Sequence, residues 1–129
     1  MENQINKLTI LVIEDEKPLL EAVSISLEQS GFKVVKSRIA DQALQYLKDV
    51  GIVDLIWLDH YLLGDDGIKL TQKLKQEEKF KNIPIFVVSN SEDPEKKKQY
   101  LDLGVIKYFT KSDSSLEKII GEIKEHFKK

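Results

Sequence analysis

Cysteine is absent from the 129 residues, and histidine occurs only twice. The lack of cysteine excludes disulfide bonds and thiolate metal sites, and it fits a reducing compartment. No apolar run approaches the ~20 residues that cross a bilayer, and the polar N-terminus MENQINK lacks the apolar stretch of a signal peptide. A net charge of −2 does not favour nucleic acid or an anionic membrane as a partner. We therefore expect one cytoplasmic domain, residues 1–129, that binds neither.

Short apolar runs alternate with helical patterns along the chain. Leu8–Ile13, Val53–Leu58 and Ile83–Val88 are almost continuously apolar, which is typical of strands covered on both faces. Phe32–Lys36 and Val105–Thr110 are interrupted by polar residues and are expected at the two edges of the sheet. All of these runs except Ile83–Val88 are followed by a segment with an apolar helical face. The pattern predicts an α/β fold, a doubly wound (βα)5 arrangement with a five-stranded parallel sheet of order 2-1-3-4-5.

Helix ends are marked by glycines and by capping residues. Asp93 before Pro94 is expected to begin the fourth helix, and Ser114 with Glu117 is expected to form a capping box at the start of the fifth. Three glycines follow helical runs and are expected to adopt the positive φ of a C-terminal cap: Gly31, Gly51 and Gly104.

Acidic residues gather where two strands end. The first strand ends in Glu14, Asp15 and Glu16, and the third ends at Asp59. These strands are neighbours in the predicted order, and ligands bind at the carboxyl ends of such strands. Like charges ~4 Å apart repel by about 4 kcal/mol near a protein surface, so we expect a hard cation such as Mg²⁺ or Mn²⁺ among Glu14, Asp15 and Asp59. With Lys111 at the end of the fifth strand, this would form a phosphoryl pocket with Asp59 as nucleophile.

Four segments, LVIEDE, DLIWLDHYLLGDDG, IFVVSNSED and LGVIKYFTKS, follow one another at fixed separations. In order and spacing they resemble the receiver domain of two-component response regulators, over residues 7–127. The resemblance implies a flavodoxin-like receiver fold and a signalling switch rather than an enzyme with a turnover substrate. It implies that Asp59 accepts a phosphoryl group from a sensor histidine kinase or a histidine phosphotransfer protein. It also implies a downstream protein target and a monomer or weak homodimer.

The same resemblance implies a set of metal ligands. Asp15 and Asp59 would bind Mg²⁺ (or Mn²⁺) directly, whereas Glu14 would contact the ion through a water molecule. The backbone carbonyl of Tyr61, two residues after Asp59, would complete the ligands that the protein supplies.

Three further roles are implied for the residues around the phosphoryl group. Lys111 would pair with the phosphoryl oxygens, and Ser89 would hydrogen-bond to them. Tyr108 would change rotamer in response. The surface formed by the fourth helix, fifth strand and fifth helix would carry the signal. No helix-turn-helix or catalytic segment follows Phe127 in this sequence, so we expect output by contact with another protein, whether the chain is a whole protein or an excised domain.

Three residues depart from the pattern common in receivers. Ser112 follows Lys111 where a proline with a cis peptide is usual. A cis Lys111–Ser112 bond would cost about 3–4 kcal/mol, so either strain is tolerated or the loop runs differently. Leu63 also stands where proline is frequent, and Asn90 replaces the usual alanine or glycine. These changes bear on the rate and lifetime of phosphorylation more than on the fold.

Other functions remain open at this point. A hydrolase of the haloacid-dehalogenase type forms an aspartyl phosphate but needs Asp-x-Asp, whereas His60 and Tyr61 follow Asp59. A flavin or nucleotide module needs an anion-binding loop after the first strand, where this chain has EDEKP. A receiver-fold interaction module that is not phosphorylated is the remaining alternative. Trp57 is expected in the core, Glu16 in solvent, and His60 in the loop with at most a minor influence on the pocket.

Overall fold

A computed structural model describes residues 7–62 and 66–128. The strands are β1 Thr9–Ile13, β2 Lys33–Ser37, β3 Leu55–Leu58, β4 Ile85–Ser89 and β5 Lys107–Thr110. The helices are α1 Lys17–Gln29, α2 Ala40–Asp49, α3 Gly67–Gln76, α4 Pro94–Asp102 and α5 Leu116–Phe127. The strands pair in parallel in the order β2-β1-β3-β4-β5, which confirms the predicted order and both edges. Within the described ranges, no helix is long and apolar enough to cross a membrane.

Helices cover both faces of the sheet. Every residue of β1, β3 and β4 is buried, as their continuous apolar sequences predict. Successive side chains of a strand point to opposite faces. Ile10 and Val12 accordingly pack with α1 and α5, and Leu11 and Ile13 pack with α2, α3 and α4. The two apolar layers fix the sheet between the helices and leave its carboxyl edge free for loops.

The central strands β3 and β4 begin two residues later than predicted. They start at Leu55 and Ile85 rather than at the apolar residues Val53 and Ile83. Pro84 immediately precedes β4 and has no N–H to donate to a ladder, although its carbonyl accepts a hydrogen bond from Ile56 at 2.9 Å. Val53 is buried and Ile83 is half-buried against the core, so the apolar sequence there predicts core contact rather than strand pairing.

The helix ends agree with the sequence at all but one position. The Asp93 side chain accepts a hydrogen bond from the Glu95 N–H at 3.0 Å. Ser114 as the cap of α5 was wrong: the helix begins one residue later, and Ser115 caps it by accepting from Lys118 N–H at 3.1 Å. The three predicted positive-φ glycines are confirmed: Gly31, Gly51 and Gly104.

Helix α3 begins unusually close to the end of β3. The Gly67 N–H donates to the His60 carbonyl at 2.9 Å. A Cβ on Gly67 would lie 3.1 Å from the Asp59 carbonyl oxygen and 3.1 Å from His60 Cα, and it would collide with the Tyr100 hydroxyl. The missing side chain therefore allows Asp59, His60 and Tyr100 to approach the start of α3 closely.

Gly67→Ala should destabilise the protein by roughly 1–3 kcal/mol, because the added methyl group overfills a packed site. Gly121 in α5 is a matched control, since a Cβ there would meet nothing within 4 Å. Gly121→Ala should stabilise by roughly 0.5–1 kcal/mol through helix propensity. Urea unfolding of both variants measures the two changes, and a change of the same sign in both would contradict the close approach at Gly67.

Candidate functional site

Backbone pairing carries the candidate residues to one edge of the sheet. The Asp59 N–H donates to the carbonyl of Ile13 at 3.0 Å, so Asp59 lies beside Glu14. The Lys111 N–H donates to the carbonyl of Ser89 at 2.8 Å, which extends the β4–β5 ladder by one residue. The positions of these four side chains therefore depend on the parallel register of the sheet.

The predicted acidic cluster is present at this edge. Glu14, Asp15 and Asp59 each offer a carboxylate oxygen, and these oxygens lie within 4.8 Å of one another. Glu14 is 0% exposed and Asp59 3% exposed, while Asp15 is half-buried. Lys111 Nζ lies 3.1 Å from Glu14 Oε1 and 3.6 Å from Asp59 Oδ1. One ammonium group among three carboxylates leaves an excess of negative charge in a largely buried site.

Hydrogen bonds fix the first two acids. The Glu14 carboxylate accepts from Lys111 through Oε1 and from the N–H of Glu16 through Oε2, at 3.1 and 3.2 Å. Arg38 donates from Nε and Nη2 to the backbone carbonyl of Asp15, at 3.0 and 2.8 Å. Glu16 itself is exposed at the N-terminus of α1, as expected. The loop after β1 therefore presents Glu14 and Asp15 in a defined arrangement.

The charged form of the Asp59 carboxyl is disfavoured in this arrangement. Burial and, after it, the charge of Glu14 raise the pKa of the Asp59 carboxyl to about 7, against the opposing effect of Lys111. Among the described residues, Asp59 Oδ1 is the buried side-chain atom that lacks a hydrogen-bond partner. Buried carboxylate oxygens without partners are costly. Three clustered carboxylates with one orphaned oxygen fit a hard divalent cation, which prefers oxygen ligands.

Ser89 and Tyr108 are joined through Ser91. Ser89 is fully buried, and its hydroxyl oxygen accepts from the N–H of Ser91 at 3.1 Å. The half-buried Tyr108 donates its hydroxyl to the carbonyl of Ser91 at 2.8 Å. A shift of the loop after β4 would therefore change the partners of both side chains.

Two of the three departures from the receiver pattern lie within the described residues. No cis peptide bond occurs in residues 7–62 or 66–128, so the Lys111–Ser112 bond is trans. The Ser112 hydroxyl donates to the carboxylate of Glu92 at 3.1 Å and ties this loop to the one before α4. Asn90 is exposed. Leu63 lies outside the described residues.

The sequence did not reveal the importance of Tyr100. This side chain is fully buried, and its hydroxyl lies 2.6 Å from His60 Nδ1. His60 is only 4% exposed, so it is a buried residue of the loop rather than a solvated one. Burial lowers the pKa of His60 and raises that of Tyr100, which keeps both groups neutral near pH 7. The available signal was the single aromatic residue of a mostly polar α4, four residues before Gly104.

Trp57 lies in the core, as predicted, and is 1% exposed. It also lines a cavity of about 160 Å³ together with Glu14 and Lys111. Leu19 of α1 and Leu116 of α5 contribute apolar walls to the same cavity. Because the chain has one tryptophan, its fluorescence reports directly on the surroundings of the acidic cluster.

The chain is similar in sequence to a known protein family and to several of its members. Residues 10–124 match the family model of the response regulator receiver domain. The phosphate regulon transcriptional regulatory protein PhoB of Escherichia coli K12 is 36% identical over 115 residues, covering 89% of this chain and 49% of PhoB. The regulator RpaA of Synechocystis is 32% identical over 107 residues, covering 79% of this chain and 42% of RpaA. The chain thus spans about half the length of these curated relatives.

Solved structures show the same architecture. A response regulator receiver protein from Pseudomonas putida superposes with a TM-score of 0.86 at 24% identity, covering 92% of this chain and 97% of that one. The Mn²⁺-bound form of the response regulator Rcp1 gives a TM-score of 0.80 at 26% identity, covering 92% of each chain. The first likeness supports the fold, and the second also shows that a related protein holds a divalent ion.

The raised pKa of Asp59 predicts a pH-dependent stability. Between the unfolded value of 3.8 and the folded value of about 7, the folded chain binds more protons than the unfolded chain, so stability without metal should fall as pH rises through this interval. Asp59→Asn removes the charge and should stabilise the metal-free protein by roughly 1–3 kcal/mol at pH 8. The gain should shrink toward pH 4. Urea unfolding in EDTA across this range measures it.

Asp41→Asn is the control for this prediction, because Asp41 is an exposed residue in the first turn of α2. Loss of its charge beside the helix N-terminus should destabilise the protein by about 0.3–1 kcal/mol at pH 8, the opposite sign to Asp59→Asn. Mg²⁺ added at pH 8 should reduce the difference in the free energy of unfolding between wild type and Asp59→Asn, because the cation would stabilise the charged carboxylate of the wild type. A stability gain that stays constant from pH 4 to pH 8 would show that Asp59 carries no such electrostatic cost.

Proposed function

The chain belongs to the response regulator receiver domain family, and we propose that it is a phosphorylation-dependent switch of a two-component system with Asp59 as phosphoacceptor. The observation that carries the proposal is the meeting of Glu14, Asp15, Asp59 and Lys111 at one edge of the sheet, with Lys111 Nζ 3.1 and 3.6 Å from two of the carboxylates. The phosphodonor would be a sensor histidine kinase or a histidine phosphotransfer protein.

Asp59 has the surroundings that phosphoryl transfer requires. Positioning and charge neutralisation contribute most of the catalysis in such reactions. Asp59 would attack the phosphorus atom of a phosphohistidine with a carboxylate oxygen, form an acyl phosphate and release the histidine. The adjacent Lys111 would bind the phosphoryl oxygens and offset their charge.

A divalent ion fits the remaining acids. Asp15, Asp59 and the backbone carbonyl of Tyr61 would hold Mg²⁺ (or Mn²⁺), and Glu14 would contribute through water. The ion would neutralise charge on the phosphoryl group and on the carboxylates. Glu14 has a second function that the structure supports directly: its carboxylate pairs with Lys111 and so sets the position of the ammonium group.

Ser89 would then transmit the change. A new dianionic group attracts hydroxyl and ammonium donors through charge-assisted hydrogen bonds. The Ser89 hydroxyl, which accepts from the N–H of Ser91, would turn to donate to a phosphoryl oxygen. The loop after β4 would rearrange, and the bond from Tyr108 to the Ser91 carbonyl would be exchanged for another. One of two arrangements of this loop is thereby favoured.

The signal would be read on the surface of α4, β5 and α5 by a protein partner. Leu101 of α4 and Ile106 before β5 are large apolar side chains with 43% and 46% exposure. A salt bridge at 2.9 Å joins Lys107 of β5 to Glu122 of α5. PhoB and RpaA are named as transcriptional regulators. For this chain the output would be a protein contact, made either by a separate partner or by another part of a longer protein.

Acetyl phosphate should add one phosphoryl group to the wild type in the presence of Mg²⁺. EDTA should abolish the adduct, because the clustered carboxylates then repel the donor, and Asp59→Asn should abolish it because the nucleophile is gone. Intact-mass spectrometry measures all three.

The outcomes separate the alternatives. An adduct that survives Asp59→Asn would mean that another residue is the nucleophile. The absence of an adduct, together with unchanged amide NMR shifts on addition of beryllofluoride (a mimic of the phosphoryl group), would favour the unphosphorylated interaction module.

At a saturating concentration of beryllofluoride, Ser89→Ala should still bind it at Asp59 but should strongly reduce the amide shift changes at Tyr108 and in α4, because the loop after β4 loses its hydroxyl donor. Two-dimensional ¹H–¹⁵N NMR measures the shifts residue by residue. Ser24→Ala is the matched control, since it removes another buried hydroxyl, which bonds to Leu20 in α1. Equal responses in wild type and Ser89→Ala would contradict the role of Ser89 as transmitter.

A further inference from the structure

The loop that follows Asp59 is attached to α4 by a buried polar pair. His60 Nδ1 and the Tyr100 hydroxyl oxygen lie 2.6 Å apart, and the two side chains are 4% and 0% exposed. They are forty residues apart in sequence. The mechanism proposed for Ser89 and Tyr108 makes no use of this pair.

His60 is held at several points. Its carbonyl accepts from the Gly67 N–H at 2.9 Å, and its ring packs edge-on against those of Tyr61 and Tyr100, with centroids 4.6 and 5.7 Å away. The space for the Tyr100 hydroxyl exists because Gly67 has no side chain. Backbone and side chain of His60 are thus both fixed, and with them the start of the peptide that leads into Tyr61.

Buried hydrogen bonds of this kind orient neighbouring groups strongly. A short bond between two neutral, desolvated partners confines both side chains, because breaking it leaves two buried polar groups unsatisfied. Lys96 of α4 lies 5.4 Å from the Tyr61 ring centroid, which provides a second but solvent-exposed link between the same two elements. The buried pair is therefore the link that fixes His60, and with it the peptide before Tyr61, against α4.

We propose that His60 and Tyr100 are positioning residues for ion binding, and that their hydrogen bond holds the peptide after Asp59 so that the Tyr61 carbonyl can serve as a ligand. This inference rests on the proposed function, in which the Tyr61 carbonyl joins Asp15 and Asp59 around the ion. Neither His60 nor Tyr100 is proposed as a ligand of the ion or of the phosphoryl group. The pair acts through the backbone between Asp59 and Tyr61, in the way that outer partners orient metal ligands in other sites.

Tyr100→Phe tests the pair directly, because it keeps the ring and removes the hydroxyl. The affinity for Mg²⁺ should fall by about tenfold, the lower end of what loss of an orienting partner costs at metal sites. Titration with Mg²⁺ alone, followed by Trp57 fluorescence and by amide NMR shifts, measures it. Tyr46→Phe in α2 is the matched control: it removes the hydroxyl of a half-buried tyrosine outside this loop and α4, and it should leave the affinity unchanged.

A pair of His60 variants provides an independent test. Asparagine places a polar atom close to the position of Nδ1, so His60→Asn should retain an affinity near that of the wild type. His60→Leu fills similar space without a polar atom and should match Tyr100→Phe. Amide hydrogen exchange at Gly67 should be faster in His60→Leu and Tyr100→Phe, because the loop opens more often.

The results distinguish this inference from the proposed function. If the wild type shows no Mg²⁺ binding, the metal site of the proposed function is contradicted. If the wild type binds Mg²⁺ and a folded Tyr100→Phe binds it equally well, the positioning role is overturned. Should Tyr100→Phe fail to fold, equal Mg²⁺ affinities for His60→Asn and His60→Leu would overturn it instead.

Discussion

Repulsion among carboxylates is the constraint on which the site depends. The parallel sheet places Glu14 and Asp59 at the same edge, where both are almost fully buried, and Lys111 is the cation that pairs with them. The ammonium group cannot neutralise the acids completely, and burial of a partly compensated charge is expensive. Binding of a further cation would therefore lower the electrostatic energy of the site and stabilise it. The repulsion that destabilises the metal-free site is thus the same interaction that would favour binding of a cation.

The backbone and the core hold the strand ends together against this repulsion. Backbone hydrogen bonds fix Asp59 to Ile13, Lys111 to Ser89 and Glu14 to Ser37, at 2.8 to 3.0 Å. Two continuous apolar layers hold the strands that end there. If these strand ends could separate, the acids would relieve their repulsion by moving apart. The packed sheet prevents that relaxation. The repulsion is therefore not relieved, and it would increase the affinity of the site for a cation.

The sequence predicted the features that depend on local pattern. Continuous apolar runs located the central strands, interrupted runs located the edges, and the residues just after each strand identified Asp59 and Lys111 as neighbours. Local pattern was less successful where two adjacent residues could serve equally, as with Ser114 and Ser115 at the start of α5. It failed for His60 and Tyr100, because a contact between residues forty positions apart depends on how helices pack and leaves no periodic trace in either segment.

Two connections lead from the carboxyl edge of the sheet toward the α4–β5 region, and they meet. The first runs from Ser89 through Ser91 to Tyr108, and the second runs from His60 to Tyr100. The rings of Tyr100 and Tyr108 pack together with centroids 5.8 Å apart, so neither can move without affecting the space available to the other. Close-packed interiors respond to such changes by switching between discrete arrangements rather than by gradual deformation. Because coupling between sites is reciprocal, under the proposed function a partner that stabilises one arrangement of α4 would also change the affinity of the acidic cluster for a divalent ion.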